Sequence, residues 1–494
     1  MLATPGRAWA TGFTDIGSDL HVRDKVTVEV DGYLRARSEA LYNLDLDRGL
    51  LPSGNPLFPV PLDNPRGQWL THADMRLRTD LNIYAPGAAV AVKARIDTLD
   101  NVALGSQPEG IPYASLSQRP TGNVLSVRRA YGEVLLPFGL LAVGRMGSHW
   151  GLGMLTNGGD CIDCDTGDSA DRIAFITPLA GHIFAAAFDF SATLAQQPRA
   201  NDRTIGLAPQ TDVRSVTFAF LRYKDDAGRE RRRKAGKTTL DYGAYYAHRW
   251  QTDDIPAAYL ATDAPVALTG SQVMGRGYEG NVLDAWVRVT HPYLRLEAEV
   301  AYTIQKIDQP SLIPGFLLRD PIRSNQLGIA FESEVGSPDG PLGAGVDAGY
   351  ASGDENSMLG AVKVPPPNGR LDTFRFHGDY RIDQILFREI LGAVTDAIYV
   401  RPHARLRLFR IATGEASMQI AAVSSWTAAA NSTPSGDRGL GLEFDPSVVF
   451  RSKDGFYTAI DYAALIPFSG LDNPAEGLKA QSAQSIRARV AFLF

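Results

Sequence analysis

Cysteine is almost missing from this chain of 494 residues, with Cys161 and Cys164 the only two. A lone C-x-x-C with no βαβ pattern beside it is not a thioredoxin site, and it is too little for a zinc ribbon. It fits a disulfide in an oxidising compartment. Long apolar runs are missing as well. No stretch of about 18 residues is both uncharged and strongly apolar, which excludes a helix that spans a bilayer. Basic charge is not in excess: 49 Lys and Arg stand against 55 Asp and Glu, a net charge of -6, so no nucleic-acid partner is expected. Pro/Gly/Ser-rich linkers are lacking too, so length alone does not divide the chain into domains. The 48 glycines and 30 prolines instead punctuate many short segments, the spacing of strands joined by turns.

What is abundant is strict alternation of apolar and polar residues, which in a strand sends one set to each face. In 293–307, Leu294, Leu296, Ala298, Val300, Tyr302 and Ile304 alternate with Arg295, Glu297, Glu299, Thr303 and Gln305. The same rhythm runs through 26–37, 73–83, 90–97, 283–290, 327–335, 398–408, 440–451 and 486–494, and less cleanly through nine further segments. Eighteen strands are expected. Their connections alternate between short turns, such as Pro86-Gly87 and Gly181-His182, and long loops near 45–70, 99–123, 147–171, 192–212, 252–278, 308–322, 353–395, 428–437 and 467–483. A soluble all-β sandwich has no reason to gather every long loop at one end, and its outer face should be polar. Here the apolar face is the continuous one. The pattern predicts an all-β, closed antiparallel transmembrane β-barrel with short periplasmic turns and long extracellular loops, and an even strand count returns both termini to the periplasm. Closure pairs every backbone group within the hydrocarbon. Residues 25–494 then form one barrel domain preceded by an N-terminal periplasmic segment, 1–24. That segment shows no secretory signal in this numbering and is too short for the plug of a TonB-dependent receptor.

The last strand carries a resemblance. Ile486, Ala488, Val490, Phe492 and Phe494 alternate with Arg487 and Arg489. This resembles the terminal strand of bacterial outer-membrane barrels, which implies that Phe494 is part of the signal read by the barrel-assembly machinery. The segment Ala130–Gly139 with Val143-Gly144-Arg145 is similar to a hairpin of Gram-negative porins and alginate-export-type channels. The strand count is similar to that of the eighteen-stranded substrate-specific porins and the alginate exporter. The resemblance implies an outer-membrane channel, not an enzyme, seated among outer-membrane lipid and lipopolysaccharide.

If the apolar set faces lipid, the other set lines the lumen. A basic wall of Arg35, Arg37, Arg76, Arg78, Lys93, Arg95, Arg487 and Arg489 is expected on the last strand and the first three. An acidic wall of Glu297, Glu299, Glu332, Glu334 and Asp347 should stand opposite on the eleventh to thirteenth. Opposed walls would orient charged solutes; pairing with neighbours such as Asp74, Asp80 and Asp97 is the plainer outcome. Arg401, Arg405 and Arg407, with His403 and Tyr399, form a further ladder. The 353–395 loop carries Pro365-Pro366-Pro367, Phe374, Phe376, Phe387 and Arg388. Its apolar stretch 385–391 predicts a constriction folded into the lumen. Asp163, Asp165 and Asp168, beside the cysteines, offer oxygen ligands to Ca²⁺ without an EF-hand spacing. Otherwise no cofactor is expected. The basic turn 224–237 could dock an acidic periplasmic partner. The leading function is passive passage of small polar or charged solutes, carbohydrates among them. The alternatives are an exit channel for an exopolysaccharide, a structural barrel with a filled lumen, and a hydrolase built on Gly167-Asp168-Ser169.

Overall fold

The computed structural model describes residues 13, 16–51, 53–63, 68–105, 125–194, 196–199, 201, 203–256, 269–311, 316–318, 320–359, 361–362 and 366–494. Pro365, most of 1–24 and parts of the 99–123 and 252–278 loops lie outside the described residues. The alternating segments form eighteen antiparallel strands. They are β1 (Thr27–Tyr42), β2 (Trp69–Tyr84), β3 (Val90–Ala103), β4 (Leu125–Leu136), β5 (Gly139–Gly147) and β6 (Ser169–Leu179). Then come β7 (His182–Ala192), β8 (Val213–Arg222), β9 (Thr239–Asp254), β10 (Met274–His291), β11 (Leu294–Ile307) and β12 (Ile322–Val335). The circuit ends with β13 (Leu342–Ala351), β14 (Ala397–Ile411), β15 (Gly414–Thr427), β16 (Gly439–Ser452), β17 (Phe456–Pro467) and β18 (Ala483–Leu493). Each pairs with its sequence neighbour, and β1 pairs with both β2 and β18, which closes the barrel.

Closure fixes which side chains meet lipid. Leu34, Val143, Phe218, Leu283, Val300, Ile304, Leu406, Ile420, Ile460 and Ile486 are exposed on the outer face, while alternate residues such as Arg35, Glu297, Glu299 and Arg487 are buried inside. Aromatic pairs mark both rims. Tyr42–Trp69 and Phe188–Trp250 lie toward the long loops, and Phe138–Phe175 and Phe456–Phe492 lie toward the short turns. An apolar belt between aromatic girdles is the exterior of a transmembrane barrel.

The connections alternate as expected, and β1 begins at the short-turn end, where β18 finishes. The turn that breaks the rule, 223–238, carries one helix, α1 (Asp226–Lys234). Asp225 caps it by accepting a hydrogen bond from the Gly228 amide (2.9 Å). Arg229 bends inward to Asp241 (3.3 Å), and Arg233 reaches Asp339 in the β12–β13 turn (2.8 Å). Three of its cations are thus held by Asp226, Glu230, Asp241 and Asp339.

Candidate functional site: a lumen occupied from three sides

Lumen-facing arginines are most crowded on β18, β1, β2, β3 and β4, where the register sets like charges opposite one another. Arg35 lies across from Arg76, Arg37 from Arg489 and Arg95 from Arg129. Such pairs repel, and the wall cannot neutralise them alone. A register shift between Arg95 and Ile96 adds to the crowding, because it lets the consecutive Arg128 and Arg129 both reach inward. Asp74, Asp80 and Asp97 supply part of the compensation, at 2.9 Å from Arg37, 2.6 Å from Arg95 and 2.7 Å from Arg78.

The rest comes from the 148–168 loop between β5 and β6, which folds into the barrel. Asp160 pairs with Arg129 (2.8 Å) and with Arg95. Asp163 meets Arg37 (3.2 Å), Arg388 (2.7 Å) and Arg489 (3.0 Å), and Asp165 meets Arg37 (3.0 Å) and Arg381 (2.6 Å). Carbonyls of the same loop receive the remaining guanidinium protons, Cys164 from Arg76 (2.5 Å) and Gly159 from Arg78 (2.6 Å). Burial works to raise the pKa of Asp160, Asp163 and Asp165. The surrounding arginines outweigh it and hold all three below the ordinary carboxylate range. The Cys161–Cys164 disulfide closes the turn that presents them.

One expectation is corrected here: Asp163, Asp165 and Asp168 do not converge on a cation. Asp163 and Asp165 are ringed by guanidinium groups, and Asp168 turns away to the Asn157 amide (3.2 Å). Among the described residues no group of three or more acidic, His or Cys side chains is placed to hold a metal. A donor set already neutralised by arginine does not fit Ca²⁺. The basic wall, likewise, does not offer free charge to a passing solute; Arg35 and Arg76 are fully buried.

The other limb of the loop crosses to the acidic wall. Glu299 accepts the Leu152 amide (2.5 Å), and Trp150 packs edge-on against Tyr245 with ring centroids 5.0 Å apart. The remaining acidic wall is locally paired. Glu297 takes Arg288 (2.6 Å) and Arg295 (2.8 Å), Glu332 takes Arg295 (2.9 Å), and Asp347 takes Arg401 (2.7 Å). The expected ladder is tied down in the same way: Arg405 lies 3.7 Å from Glu334, Arg407 3.3 Å from Glu415, and His403 3.3 Å from Asp347. Opposed walls exist, but their charge anchors inserted chain and neighbouring strands.

The 352–396 loop enters from the side of β12 to β18, as its apolar stretch predicts. Phe374, Phe376, Tyr380, Ile385, Leu386 and Phe387 are buried against a wall of small residues, including Ala301, Ala330, Ala351, Ala463 and Ala483. The fit is close: a Cβ on Gly328 would sit 2.4 Å from the Phe374 ring. Burying each ring contributes about 1.5–3 kcal/mol. The loop's single π turn, Leu386–Ile390, is anchored by carboxylates. Glu443 of β16 accepts the amides of Gln384 (2.9 Å), Ile385 (2.7 Å) and Leu386 (3.0 Å), and Asp383 accepts those of Phe387 (2.9 Å) and Arg388 (3.1 Å). Burial, reinforced by Glu443, pushes the Asp383 carboxyl well above its ordinary range. The two loops join at mid-lumen, where Asp379 accepts the Asp165 amide (2.9 Å) and the Thr166 hydroxyl (2.8 Å).

The third insertion was not anticipated. The expected N-terminal periplasmic segment, 1–24, sends Phe13 and Ile16 into the short-turn half of the barrel, while His21, Val22 and Asp24 stay exposed. Phe13 and Ile16 bury among Leu140, Ala142, Ala174 and Trp150, where apolar side chains escape water. Asp19 binds Lys93 (2.6 Å) and Tyr84 (2.5 Å). The apolar Phe13 and Ile16 were the available signal. Arg128, Arg129, Asp160, Arg381 and Glu443 were also missed as site residues; only their register and contacts single them out.

A cavity of about 640 Å³ remains between the 148–168 loop and β6 to β12. Along its wall Arg145 pairs with Asp171 (2.7 Å) and Arg172 with Asp189 (2.6 Å), each directly opposite its partner. Arg249 projects into it with no hydrogen-bond or ion-pair partner among the described residues, and Arg375 spends its one hydrogen bond on the Leu391 carbonyl (3.2 Å). His149 also lines it. Burial lowers the pKa of His149, leaving a neutral ring whose Nδ1 accepts the Gly158 amide (3.2 Å). Ser169 opens β6 at the cavity edge, with no histidine or carboxylate hydrogen-bonded to its hydroxyl among the described residues.

No protein-family model and no curated protein matches the chain. Solved structures do. OccK9 (OpdG) of Pseudomonas aeruginosa is 12% identical over 94% of this chain and 98% of that one, with a TM-score of 0.49. A BenF-like porin from Pseudomonas fluorescens Pf-5 is 8% identical over 94% and 98%, with a TM-score of 0.47. The outer membrane channel DcaP of Acinetobacter baumannii is 10% identical over the whole of both chains, with a TM-score of 0.41. The likeness is one of barrel fold and says nothing of solutes.

Proposed function

We propose that this chain is a bacterial outer-membrane channel for the passive passage of small polar or charged solutes, oriented with its short turns and both chain ends in the periplasm. The observation that carries the reading is the 640 Å³ cavity lined largely by polar side chains, left between the 148–168 loop and β6 to β12. A barrel of eighteen strands is wide enough to hold an aqueous lumen, and inserted loops narrow such a lumen to a selective passage. The Arg401–Arg407 ladder and the basic turn no longer argue for polysaccharide export, since ion pairs and backbone carbonyls tie down the first and α1 folds much of the second onto the barrel.

A second reading has one observation in its favour: three segments enter the lumen, as in a structural barrel. Single-channel recording of the purified protein in planar bilayers separates the two. Steady ohmic steps support the channel. Silence in the intact protein, with steps appearing once 377–392 is excised, supports the filled barrel.

A further inference from the structure

Register lays one row of charged side chains on the outer face of the barrel. On β8 to β11 the apolar belt is regular: Phe218 faces Tyr246, Tyr246 faces Leu283, and Leu283 faces Tyr302. One step toward the long loops the outward row turns partly polar, running Val216, His248, Asn281, Ile304 and Asn325. One step further it reads Phe190, Arg214, Trp250, Glu279, Lys306 and Arg323. The far side of the barrel differs. There, at the same end, Ile398 faces Trp426 and Leu442 faces Ile466. Charge on the lipid face is costly at mid-bilayer and tolerated toward the interface, so this row marks the level of the headgroups on β8 to β12.

The row combines two kinds of group. Lys306 and Arg323 are exposed and stand directly opposite each other, an arrangement of like charges that a shared anion relieves. Lys306 is held by Asp308 (2.6 Å) and Arg214 by Asp212 (2.5 Å), whereas Arg323 has no carboxylate partner among the described residues. Beside them lies a groove of about 690 Å³ lined by Val216, His248, Trp250, Glu279 and Lys306 among others. The His248 and Trp250 rings stack there, 5.4 Å apart and 20° from parallel, a flat platform at the depth where Trp is favoured. Asn281 accepts the Tyr246 hydroxyl (2.6 Å) and lies 3.0 Å from His248 Nδ1, which leaves its amide protons to donate. Glu279 is the one carboxylate of the row. It accepts protons from hydroxyls and repels a phosphate.

We propose that this sector is a docking surface for a phosphorylated glycolipid of the outer leaflet, the lipid A part of lipopolysaccharide by class. A phosphate sits between Lys306 and Arg323, a sugar ring lies on the His248–Trp250 platform with its hydroxyls toward Asn281 and Glu279, and acyl chains run down Phe218, Leu283 and Tyr302. Cations at the headgroup level attract anionic lipid. A glycerophospholipid supplies the phosphate and the chains but no ring for the platform. The choice of leaflet rests on the orientation proposed above, with the long loops outward, but binding in detergent is testable without it.

Titration of the full-length barrel in detergent, read by native mass spectrometry, tests the surface. Bisphosphorylated lipid A should bind roughly tenfold more tightly than phosphatidylglycerol or lipid A stripped of its phosphates. Lys306→Gln combined with Arg323→Gln should remove that margin. Arg231→Gln combined with Lys237→Gln, an equal loss of exposed charge on the α1 turn at the other end, should keep it. Trp250→Ala should weaken lipid A and leave phosphatidylglycerol unchanged. Equal binding of the three lipids, or a margin that the Lys306 and Arg323 variant keeps, overturns the proposal. A dimer of barrels that this variant abolishes, with no lipid A retained, overturns it in favour of a second copy of the chain. Conductance in planar bilayers is read separately. A silent barrel that prefers lipid A removes the channel reading and leaves this surface standing, and a conducting barrel without the preference does the reverse. Slow electrophoretic migration without heating shows that each variant is folded.

Discussion

The two halves of this lumen are built from the same inward-facing residue types and end in opposite states. In the half formed by β14 to β18 and β1 to β4, the interior is packed with chain. In the half formed by β6 to β12, much of it stays open. Cross-strand register accounts for the difference. On the open side Arg145 faces Asp171 and Arg172 faces Asp189 directly, so these arginines are matched within the wall, while Glu297 faces Glu332 and is met by Arg288 and Arg295. On the packed side Arg35 faces Arg76 and Arg37 faces Arg489, and arginines outnumber the wall's own Asp74, Asp80 and Asp97, so part of the charge is met by carboxylates delivered from elsewhere. Asp160, Asp163 and Asp165 deliver them, and alanines farther round make room for Phe374, Phe376 and Phe387. A wall that cannot neutralise itself recruits a plug, and a wall that can leaves a passage.

The largest test of this comparison removes the apolar filling. Arg375 bridges Thr395, and the Phe376 amide donates to the Val394 carbonyl (2.9 Å), so excising 377–392 leaves ends that a short Gly-Ser turn can close. Step conductance should rise severalfold. An unchanged conductance would mean that this loop does not limit the current.

Next in size is the loss of a delivered charge. Asp163→Asn removes the carboxylate shared by Arg37, Arg388 and Arg489 and leaves them their outer partners, Asp74 and Asp165 for Arg37, Glu389 for Arg388 and Asp461 for Arg489. Fully stranding a buried charge costs about 3–5 kcal/mol, and the remaining partners hold the loss below that. The thermal midpoint of the refoldable barrel in detergent should fall accordingly, and the current should shift toward anions. Asp171→Asn, which breaks a half-exposed pair on the open wall, should leave the thermal midpoint in place.

How much of this was readable beforehand follows from the same contrast. Alternation alone gives the barrel, its strand number and which residues face inward, because side-chain period does not depend on partners. The apolar run around Ile385 and Leu386 is also enough to send the 352–396 loop indoors. Register is different. It is set by turn length and bulges, such as the shift at Arg95 that brings in both Arg128 and Arg129, and one position decides whether Arg35 meets an arginine or an aspartate. That is why the basic wall is legible as residues and illegible as a loop-binding surface. The acidic run of Asp163, Asp165 and Asp168 suggests a cation for the same reason. Its composition is the same whether it faces calcium or arginine.

Acid and alkali should act on different loops. Asp163 and Asp165 have depressed pKa values, so the stability they add is present above the unfolded-state value, near about 4, and is lost as pH falls through their lower folded values. Asp383 is shifted the other way. It is protonated in the folded protein well above about pH 4, where the unfolded chain has already ionised, so its contribution declines as pH rises toward its folded value. Current noise from the 148–168 loop should therefore appear as pH falls below about 4, and noise from the 352–396 loop as pH rises. Asp383→Asn should suppress the noise that grows with rising pH and leave the acid noise unchanged. Loss of both noise components in Asp383→Asn would show that the two loops move as one body.

The smallest effect is expected on the open wall. Arg145 and Asp171 are each 48% exposed in their side chains, so water and salt screen the pair and its loss should cost no more than about 1 kcal/mol. Arg145→Gln is therefore a probe of the passage rather than of the fold. It frees Asp171, adds one uncompensated negative charge to the cavity, and should move the reversal potential in a salt gradient toward cation selectivity while the thermal midpoint stays in place. The shift should shrink as salt rises, because the Debye length falls to about 3 Å at 1 M. If the reversal potential does not move at low salt, ions do not pass this wall, and the open half is a closed chamber rather than the route through the barrel.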